Sequence, residues 1–379
     1  MSSAKRLDHL DLVRAAILAP SPDNNQPWRF VSRQGRLEVH LDARQALPSD
    51  VNAMCDLTGL GAAVENACIA ARAVGCELDV QCGKHDAPEA TGNANVAAAT
   101  MTVTPGGTAD PLMPYLTMRC TCRRGFSTRP VEKATLDRLT ESARRFRQIQ
   151  IDWIVDRPRI RSFARLIAAS DLLRFQYEPF HNEIYRQLRF SPEEAERTRD
   201  GLDLRALELP PGTGFLLGQL RPWKRMQWLH RLGLGRLLTV PSLFSVFASG
   251  ALGVLSVPLA SPELFLEGGR ALERIWLTAT AEKLSLHPLG SLSVFLAHEQ
   301  QLHGARLRPE HQQTVRQLAA RLHELLPAVD SRVVLLAFRI GAAAPPTVRS
   351  LRRPAEEVYA AETPSNTVSN PICQEAPPC

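Results

Sequence analysis

Apolar positions along the first third of the chain switch between two periods. Leu10, Leu12, Val13, Ala16 and Ile17 recur at helical spacing and predict an amphipathic helix over 7–19. Residues 28–32 and 37–41 alternate about a Gln34-Gly35 turn and read as a β-hairpin. Residues 50–54 read as a loop. A long helix follows over 57–74, with Gly75 as its stop. Gly59, Gly61, Ala62, Ala63, Ala67 and Ala71 give it small side chains over several turns, so another element can approach closely and the helix is central. Strands are predicted at 77–81 and 97–104.

The remainder predicts a helix at 131–145, a strand at 149–155, and a helix at 163–185 interrupted near Pro179. Residues 189–235 carry charge, proline and tryptophan without a clear period, and read as irregular. A strand at 252–257, a second long helix at 268–284, a strand-like run at 292–296, a helix at 310–326 opened by Pro309, and a strand at 332–340 follow. The last stretch, 362–379, is polar with scattered prolines and reads as a disordered tail.

The two long helices align at one constant offset. Gly61, Glu65 and Ala71 of the first match Gly269, Glu273 and Ala279 of the second. Each half also sets its strands around this helix. The alignment suggests two similar α+β units packed about a pseudo-two-fold axis.

Composition narrows the class. With 44% hydrophobic and 22% charged residues over 379 positions, the chain can bury a core and fold. A net charge of +6, mostly arginine, suits an anionic small ligand, and no lysine block or aromatic stripe indicates nucleic acid. Residues 237–262 lack charge over a membrane-helix length, but Pro241, Pro258, Pro262, Gly250 and Gly253 favour a buried loop or helix followed by a core strand. No apolar leader is seen, so a cytoplasmic protein is expected. Eight cysteines at irregular spacing give no metal pattern. Cys120-x-Cys122, among arginines, is the one pair whose surroundings would lower a thiol pKa.

Candidate chemistry concentrates at 19–30, Ala-Pro-Ser-Pro-Asp-Asn-Asn-Gln-Pro-Trp-Arg-Phe. Three prolines stiffen the segment, and Ser21, Asn24 and Gln26 offer donors and acceptors at set spacings. The plainer alternative is a helix end and a proline-rich turn with Trp28 in the core. The pattern A-P-S-x-x-N-x-Q-P-W resembles the flavin-contacting loop of the nitroreductase family of FMN-dependent oxidoreductases. The family's phosphate-side pattern R-x-[ST]-x-R normally precedes that loop. Here it occurs as Arg119-x-Thr121-x-Arg123, after it. The run Arg349-Ser350-Leu351-Arg352-Arg353-Pro354 is similar to the family's C-terminal R-R-P segment, and His287-Pro288-Leu289-Gly290 to a turn that approaches the flavin ring.

The resemblance covers most of residues 7–358. It lies nearest the tandem, Acg-like subgroup and the nitroreductase domains fused to ThiF-like adenylating domains. It implies an α+β fold of two tandem units forming a pseudo-dimer in one chain. The first half is residues 1–110 and the second 111–360, with a lid-like insertion at about 170–261 and a tail at 361–379. Because the halves divide the motifs, one composite site is expected. The implied FMN contacts are Ser21, Asn24, Gln26, Arg119, Thr121, Arg123, Pro288, Leu289, Gly290, Arg349, Arg352 and Arg353. Arginine forks suit the phosphate, and Arg119 and Arg123 would project together if their segment opens a helix. His287 is a candidate proton donor or a structural loop histidine. Trp223, Trp228 and Phe215 either stack over the ring or pack the insertion.

The implied activity is reduction or oxidation of a small organic molecule, with NAD(P)H docking transiently and no protein nucleophile or metal required. A non-catalytic flavin-sequestering protein and a biosynthetic flavin-dependent dehydrogenase are the alternatives. A further homodimer is left open.

Overall fold

The computed structural model describes residues 8–83 and 97–361. Helix α1 (His9–Ala16) is capped by Asp8, whose carboxylate accepts from Leu10 N. A short 3₁₀ turn at Pro22–Asn24 leads to β1 (Trp28–Arg33) and β2 (Arg36–Leu41), turned at Gln34 and Gly35, both at positive φ. Then come α2 (Met54–Arg72), β3 (Cys76–Cys82), β4 (Ala99–Pro105), α3 (Lys133–Ser142) and β5 (Gln150–Ile154). From β5 the chain makes a long excursion through α4 (Arg157–Gln176) and α5 (Glu178–Gln187). It continues through a small ribbon of β6 (Leu188–Arg189) and β7 (Leu202–Asp203) around α6 (Pro192–Thr198). Helices α7 (Thr213–Leu220), α8 (Trp223–Arg231) and α9 (Val240–Phe247) complete the excursion. The chain returns in β8 (Ala251–Val257) and α10 (Pro262–Ala281). It ends through β9 (Ser285–Leu289), α11 (Gly290–Leu302), α12 (Pro309–Leu325), β10 (Val333–Gly341), α13 (Ala355–Val358) and β11 (Tyr359–Ala360).

Two larger sheets result, in the orders β11-β1-β2-β4-β3 and β5-β8-β10-β9. Leaving β11 aside, both run first, second, fourth, third, and every pairing is antiparallel. In both, the long helix joins the second strand to the third. The second sheet alone carries the α4–α9 excursion and the helices α11 and α12. The last strand, β11, crosses back to the first sheet and pairs parallel with β1, with Phe30 opposite Tyr359.

Helices α2 and α10 pack against each other with reciprocal contacts. A Cβ on Gly61 would lie 1.9 Å from Leu266 O, and a Cβ on Gly269 would lie 1.9 Å from Thr58 O. Gly61 and Gly269 are the same distance apart in sequence as Thr58 and Leu266. The contact is therefore made twice, once by each helix on the other. Glu65 and Glu273 are both fully buried beside it. Glu65 accepts from Arg145, from Arg270 Nε at 3.0 Å and from Arg274 Nη1 at 3.0 Å. Glu273 is held by Arg119 Nε at 3.2 Å and by Asn66 Nδ2 at 3.0 Å, with Asn66 Oδ1 taking Ala19 N. Asn66 occupies the position in α2 that Arg274 occupies in α10, so the two carboxylates are held from corresponding places.

Three readings of the sequence need correction. Residues 292–296 form the middle of helix α11, because a short apolar run fits a buried helix as well as a strand. His287, Pro288 and Leu289 lie in β9, and Gly290 opens α11, so this segment is no turn. Residues 189–235 hold three short helices. Pro192 begins α6 and Pro222 caps α8, which is where proline starts helices and does not break them. The tail at 362–379 lies outside the described residues.

The glycine contact generates a test. Gly-to-Ala inside a helix ordinarily stabilises by about 1 kcal/mol. At Gly61 or Gly269 the added methyl meets fixed backbone, so overpacking of roughly 1–3 kcal/mol should reverse the sign. Urea unfolding of Gly61→Ala and Gly269→Ala should give lower stability than the parent. Equal or higher stability would show that the helices can separate at no cost.

Candidate functional site

A cavity of about 1020 Å³ lies between residues 18–59 and segments of 116–352. Its walls come from the loop after α1, from residues 116–125, from the excursion, from the β9–α11 junction and from the C-terminal arm. Ser21, Asn24, Arg119, Thr121, Arg123, His287, Pro288, Leu289, Gly290, Arg349 and Arg352 all line it. Gln26 and Arg353 do not.

The loop holds its shape through strained backbone and internal bonds. Asp23, Asn24 and Gln26 all have positive φ, between 44° and 58°. Ser21 Oγ accepts from Gln26 N at 3.0 Å, which leaves its hydroxyl proton for a ligand. Trp28 is fully buried, as the plainer reading had it. Helix α2 sits close beneath, with Gly59 facing Pro22 and the Pro20 carbonyl. Asn24 spends its amide on the fold. Its Nδ2 donates to Gly201 O at 3.0 Å and Leu351 O at 3.1 Å, and its Oδ1 accepts from Arg352 Nη1 at 2.7 Å. Gln26 is buried away from the cavity, donating to Arg199 O at 2.8 Å and accepting from Arg353 N at 2.8 Å. These two amides tie the loop to the excursion and the C-terminal arm. Their amide donors are engaged within the fold, and of the two only Asn24 lines the cavity.

The segment carrying Arg119, Thr121 and Arg123 is extended and opens no helix. Thr121 bridges to Leu286, and Cys122 N donates to Leu286 O at 3.1 Å. Arg119, Thr121 and Arg123 all reach the cavity, while Cys122 is buried behind. Cys120 also lines the wall, and neither cysteine is in a disulfide.

The arginines divide into two groups. Arg119 faces Glu273 at 3.2 Å and lies over Trp276 at 4.7 Å. Arg174, which no sequence pattern singles out, pairs with Asp23 at 3.1 Å. Arg123 and Arg352 have no carboxylate partner among the described residues. Arg123 donates only to Ala206 O at 3.3 Å, and burial pulls its pKa below the ordinary value. Arg352 donates to Ile17 O, Ala19 O and Asn24, and burial lowers its pKa to about 9. Arg349 is exposed and fastened to Thr117 O at 2.7 Å and to Met118 O. Two half-buried guanidiniums facing one cavity without a carboxylate partner favour an anionic occupant.

His287 accepts from Arg339 Nε at 3.1 Å through Nδ1, so its proton sits on Nε2. Burial and the neighbouring Arg339 and Arg123 hold its pKa well below the usual range. It is a neutral donor. Arg339 is itself fully buried in β10 and held by Ser245 O, Arg124 O and the Phe126 ring.

Of the insertion aromatics, Phe175, Tyr185 and Phe244 line the cavity, whereas Trp223, Trp228 and Phe215 do not. Trp223 packs on His181 at 5.1 Å, and Phe215 and Trp228 face outward. Residues that sequence reasoning missed line the site from the excursion: Asp171, bonded to Ser291 Oγ, and Arg174. The Arg174–Asp23 contact spans 151 residues, so no local spacing could have indicated it. No described group of three or more His, Cys, Asp or Glu could hold a metal, and no described helix is long and apolar enough to cross a membrane.

No protein-family profile matches the chain. Among curated proteins it is 29% identical over 356 residues to Uncharacterized protein MT1398 of Mycobacterium tuberculosis (strain CDC 1551 / Oshkosh), covering 90% of this chain. It spans 47% of that relative's length. Among solved structures, it is similar to the FMN and NADPH-dependent nitroreductase NfnB from Sphigopyxis sp. strain HMH. The TM-score is 0.39 and the identity 17%, over 67% of this chain and all of that one. The FMN-dependent nitroreductase NfnB from Mycobacterium smegmatis in complex with NADPH gives a TM-score of 0.35 at 16% identity, over 64% of this chain and 94% of that one. A nitroreductase with bound FMN from Bacteroides fragilis NCTC 9343 gives 0.35 at 9%, over 65% and 95%. Overlaps this loose leave the question of function to the chain's own residues.

The buried Glu273 yields a pH test. Burial raises its pKa from 4.5 to about 7, against the opposing pull of Arg119 and Asn66. Between those values the folded chain keeps a proton that the unfolded chain has lost. Stability therefore falls as pH rises through that window and levels off above it. Glu273→Gln cannot ionise, so its unfolding free energy should change less across the window than the parent's. Equal slopes in urea titrations would remove Glu273 as the titrating group.

Proposed function

We propose that this chain is an FMN-dependent oxidoreductase of the nitroreductase kind, acting on a small organic molecule with NAD(P)H as donor. The observation that carries it is the cavity in which Ser21 of the first half meets Arg123 and Arg352, two half-buried cations without carboxylate partners among the described residues. The cavity is at the upper end of the usual range for cofactor sites, roughly 300–1,000 Å³. Its donor set fits a dianionic phosphate and a hydrogen-bonding ring system.

On this reading the halves at 1–110 and 111–360 are two tandem units forming one pseudo-dimer, as in the Acg-like and ThiF-fused branches. The repeated strand order and the reciprocal glycine contact support it. Arg123 and Arg352 hold the phosphate. Ser21 Oγ–H and His287 Nε2–H donate to the ring or to the substrate. Pro288, Leu289 and Gly290 form the wall beside them, and Arg349, exposed at the rim, attracts anions. The excursion covers the cavity through Arg174, Leu207 and Leu238 and excludes water. When bound, FMN supplies the hydride or electron transfer.

That cover also favours a second reading, a protein that sequesters flavin. Purified chain should be yellow and release one FMN. Arg123→Ala should weaken FMN binding by roughly 2 kcal/mol or more. Colourless chain that takes up no FMN sinks both readings. Stopped-flow mixing with NADPH then separates them: rapid loss of the flavin absorbance band identifies the oxidoreductase, and an inert band identifies sequestration.

A further inference from the structure

Residues 209–262 contain no Asp or Glu. The same stretch carries Arg221, Lys224, Arg225, Arg231 and Arg236, all exposed, and none forms an ion pair among the described residues. Glu208, just before it, is engaged by Arg124 and Thr347. Of the fourteen large apolar side chains that are exposed among the described residues, eight fall between Phe215 and Phe244. That concentration is not the scatter of single apolar residues normal on a protein surface. Phe215 is 75% exposed, Trp228 62%, Leu237 63% and Phe244 63%. The underside of the same segment is packed normally, with Leu220, Met226 and Val246 buried. The outer face is therefore a deliberate apolar surface on a well-seated element and not a region that failed to fold.

We propose that the outer face of α7, α8 and α9 is a peripheral docking surface for anionic lipid bilayers. Apolar side chains projecting beside unpaired cations are what an interfacial helix needs, with aromatic residues at headgroup depth and Lys and Arg toward lipid phosphates. The lack of any carboxylate removes the repulsion that would oppose an anionic surface. A second copy of the chain is a poor occupant, because a two-fold contact would set the five cations against themselves. The binding is in-plane, since no described helix is long enough to span. The cavity opens on the same face: Leu216, Leu237, Val240 and Phe244 are exposed and also line it. A molecule dissolved in the bilayer would thus meet an apolar entrance. Phe215, Trp228, Leu232 and Leu234 are exposed without lining the cavity, so the inference stands on them and the five cations and does not depend on what the cavity holds.

The test is co-sedimentation of the full chain with vesicles of phosphatidylcholine alone and of phosphatidylcholine mixed with phosphatidylglycerol. The chain should sediment with the mixed vesicles, stay in solution with the neutral ones, and be released by salt. At about 1 kcal/mol per surface cation, Lys224→Gln combined with Arg231→Gln should weaken partition roughly 30-fold. Trp228→Ser combined with Leu237→Ser should weaken it at least tenfold, and both pairs should keep the parent's thermal unfolding midpoint. Equal binding to both vesicles, or to neither, overturns the proposal. So does a lipid-free dimer, seen by sedimentation velocity, that Trp228→Ser dissociates. Capture of an acidic protein without any vesicle binding would assign the face to that protein instead.

Discussion

The close approach of α2 and α10 is the constraint from which the rest of the molecule follows. Two glycines remove the side chains that would hold these helices apart, and each accepts a carbonyl of the other helix at their place. Only a nearly bare backbone can come so near, and only a reciprocal contact can use both glycines at once. The cost is that Glu65 and Glu273, on the same faces, are shut away from water. Buried carboxylates must be met by donors, and the two are met differently. Three arginines surround Glu65, Arg270 and Arg274 from α10 and Arg145 from the turn after α3. Arg119 and Asn66 surround Glu273, and Asn66 also receives Ala19 N.

That difference is why a nearly symmetric frame carries an asymmetric site. On the Glu273 side the network reaches the start of the strained loop at Ala19 and the segment that continues to Arg123. On the Glu65 side the charge is consumed within the frame, and Arg274 turns further to Asp110 at 2.8 Å. The C-terminal arm adds to the asymmetry. It runs past the loop to pair β11 with β1, and on the way Arg352 seats on Ile17, Ala19 and Asn24. Loop, motif and arm are therefore fixed by one another, and the cavity is what they enclose.

Much of this frame could be read from sequence because its signals are local. The hairpin at Gln34-Gly35, the glycine-rich helices and the Gly61/Gly269 match depend on residues a few positions apart. The gathering of Ser21, Arg123, His287 and Arg352 came from resemblance, and the fold brings those side chains to one cavity. Sequence failed where the deciding partner was distant or the local signal was degenerate. No local spacing shows that Gly201, Arg199 and Arg353, far along the chain, engage the amides of Asn24 and Gln26. Pro192 and Pro222 look like breaks until they are seen starting helices. The run at 292–296 is as good a strand as a helix until β10 and β9 fill the sheet without it.

The charge left over after internal pairing is the most informative quantity in the molecule. Most arginines of the interior meet a carboxylate, and where one does not, something else must occupy the space before it. Arg339 is the internal standard for this rule. It is as buried as any residue here and has no acidic partner, yet three fixed groups, two carbonyls and His287 Nδ1, take its donors, and Phe126 covers its face. Its charge needs nothing further. Arg123, next in sequence to the Arg124 whose carbonyl Arg339 takes, lines the cavity and has one long bond to a carbonyl. By the same measure Arg352, whose donors meet Ile17 O, Ala19 O, Asn24 Oδ1, Ser350 O and Leu351 O, is largely satisfied, and Arg123 carries the unspent charge. The same reasoning applies outside, where five cations stand among exposed apolar side chains with no acid in reach along 209–262. In both places the unspent charge faces the direction from which a partner must come.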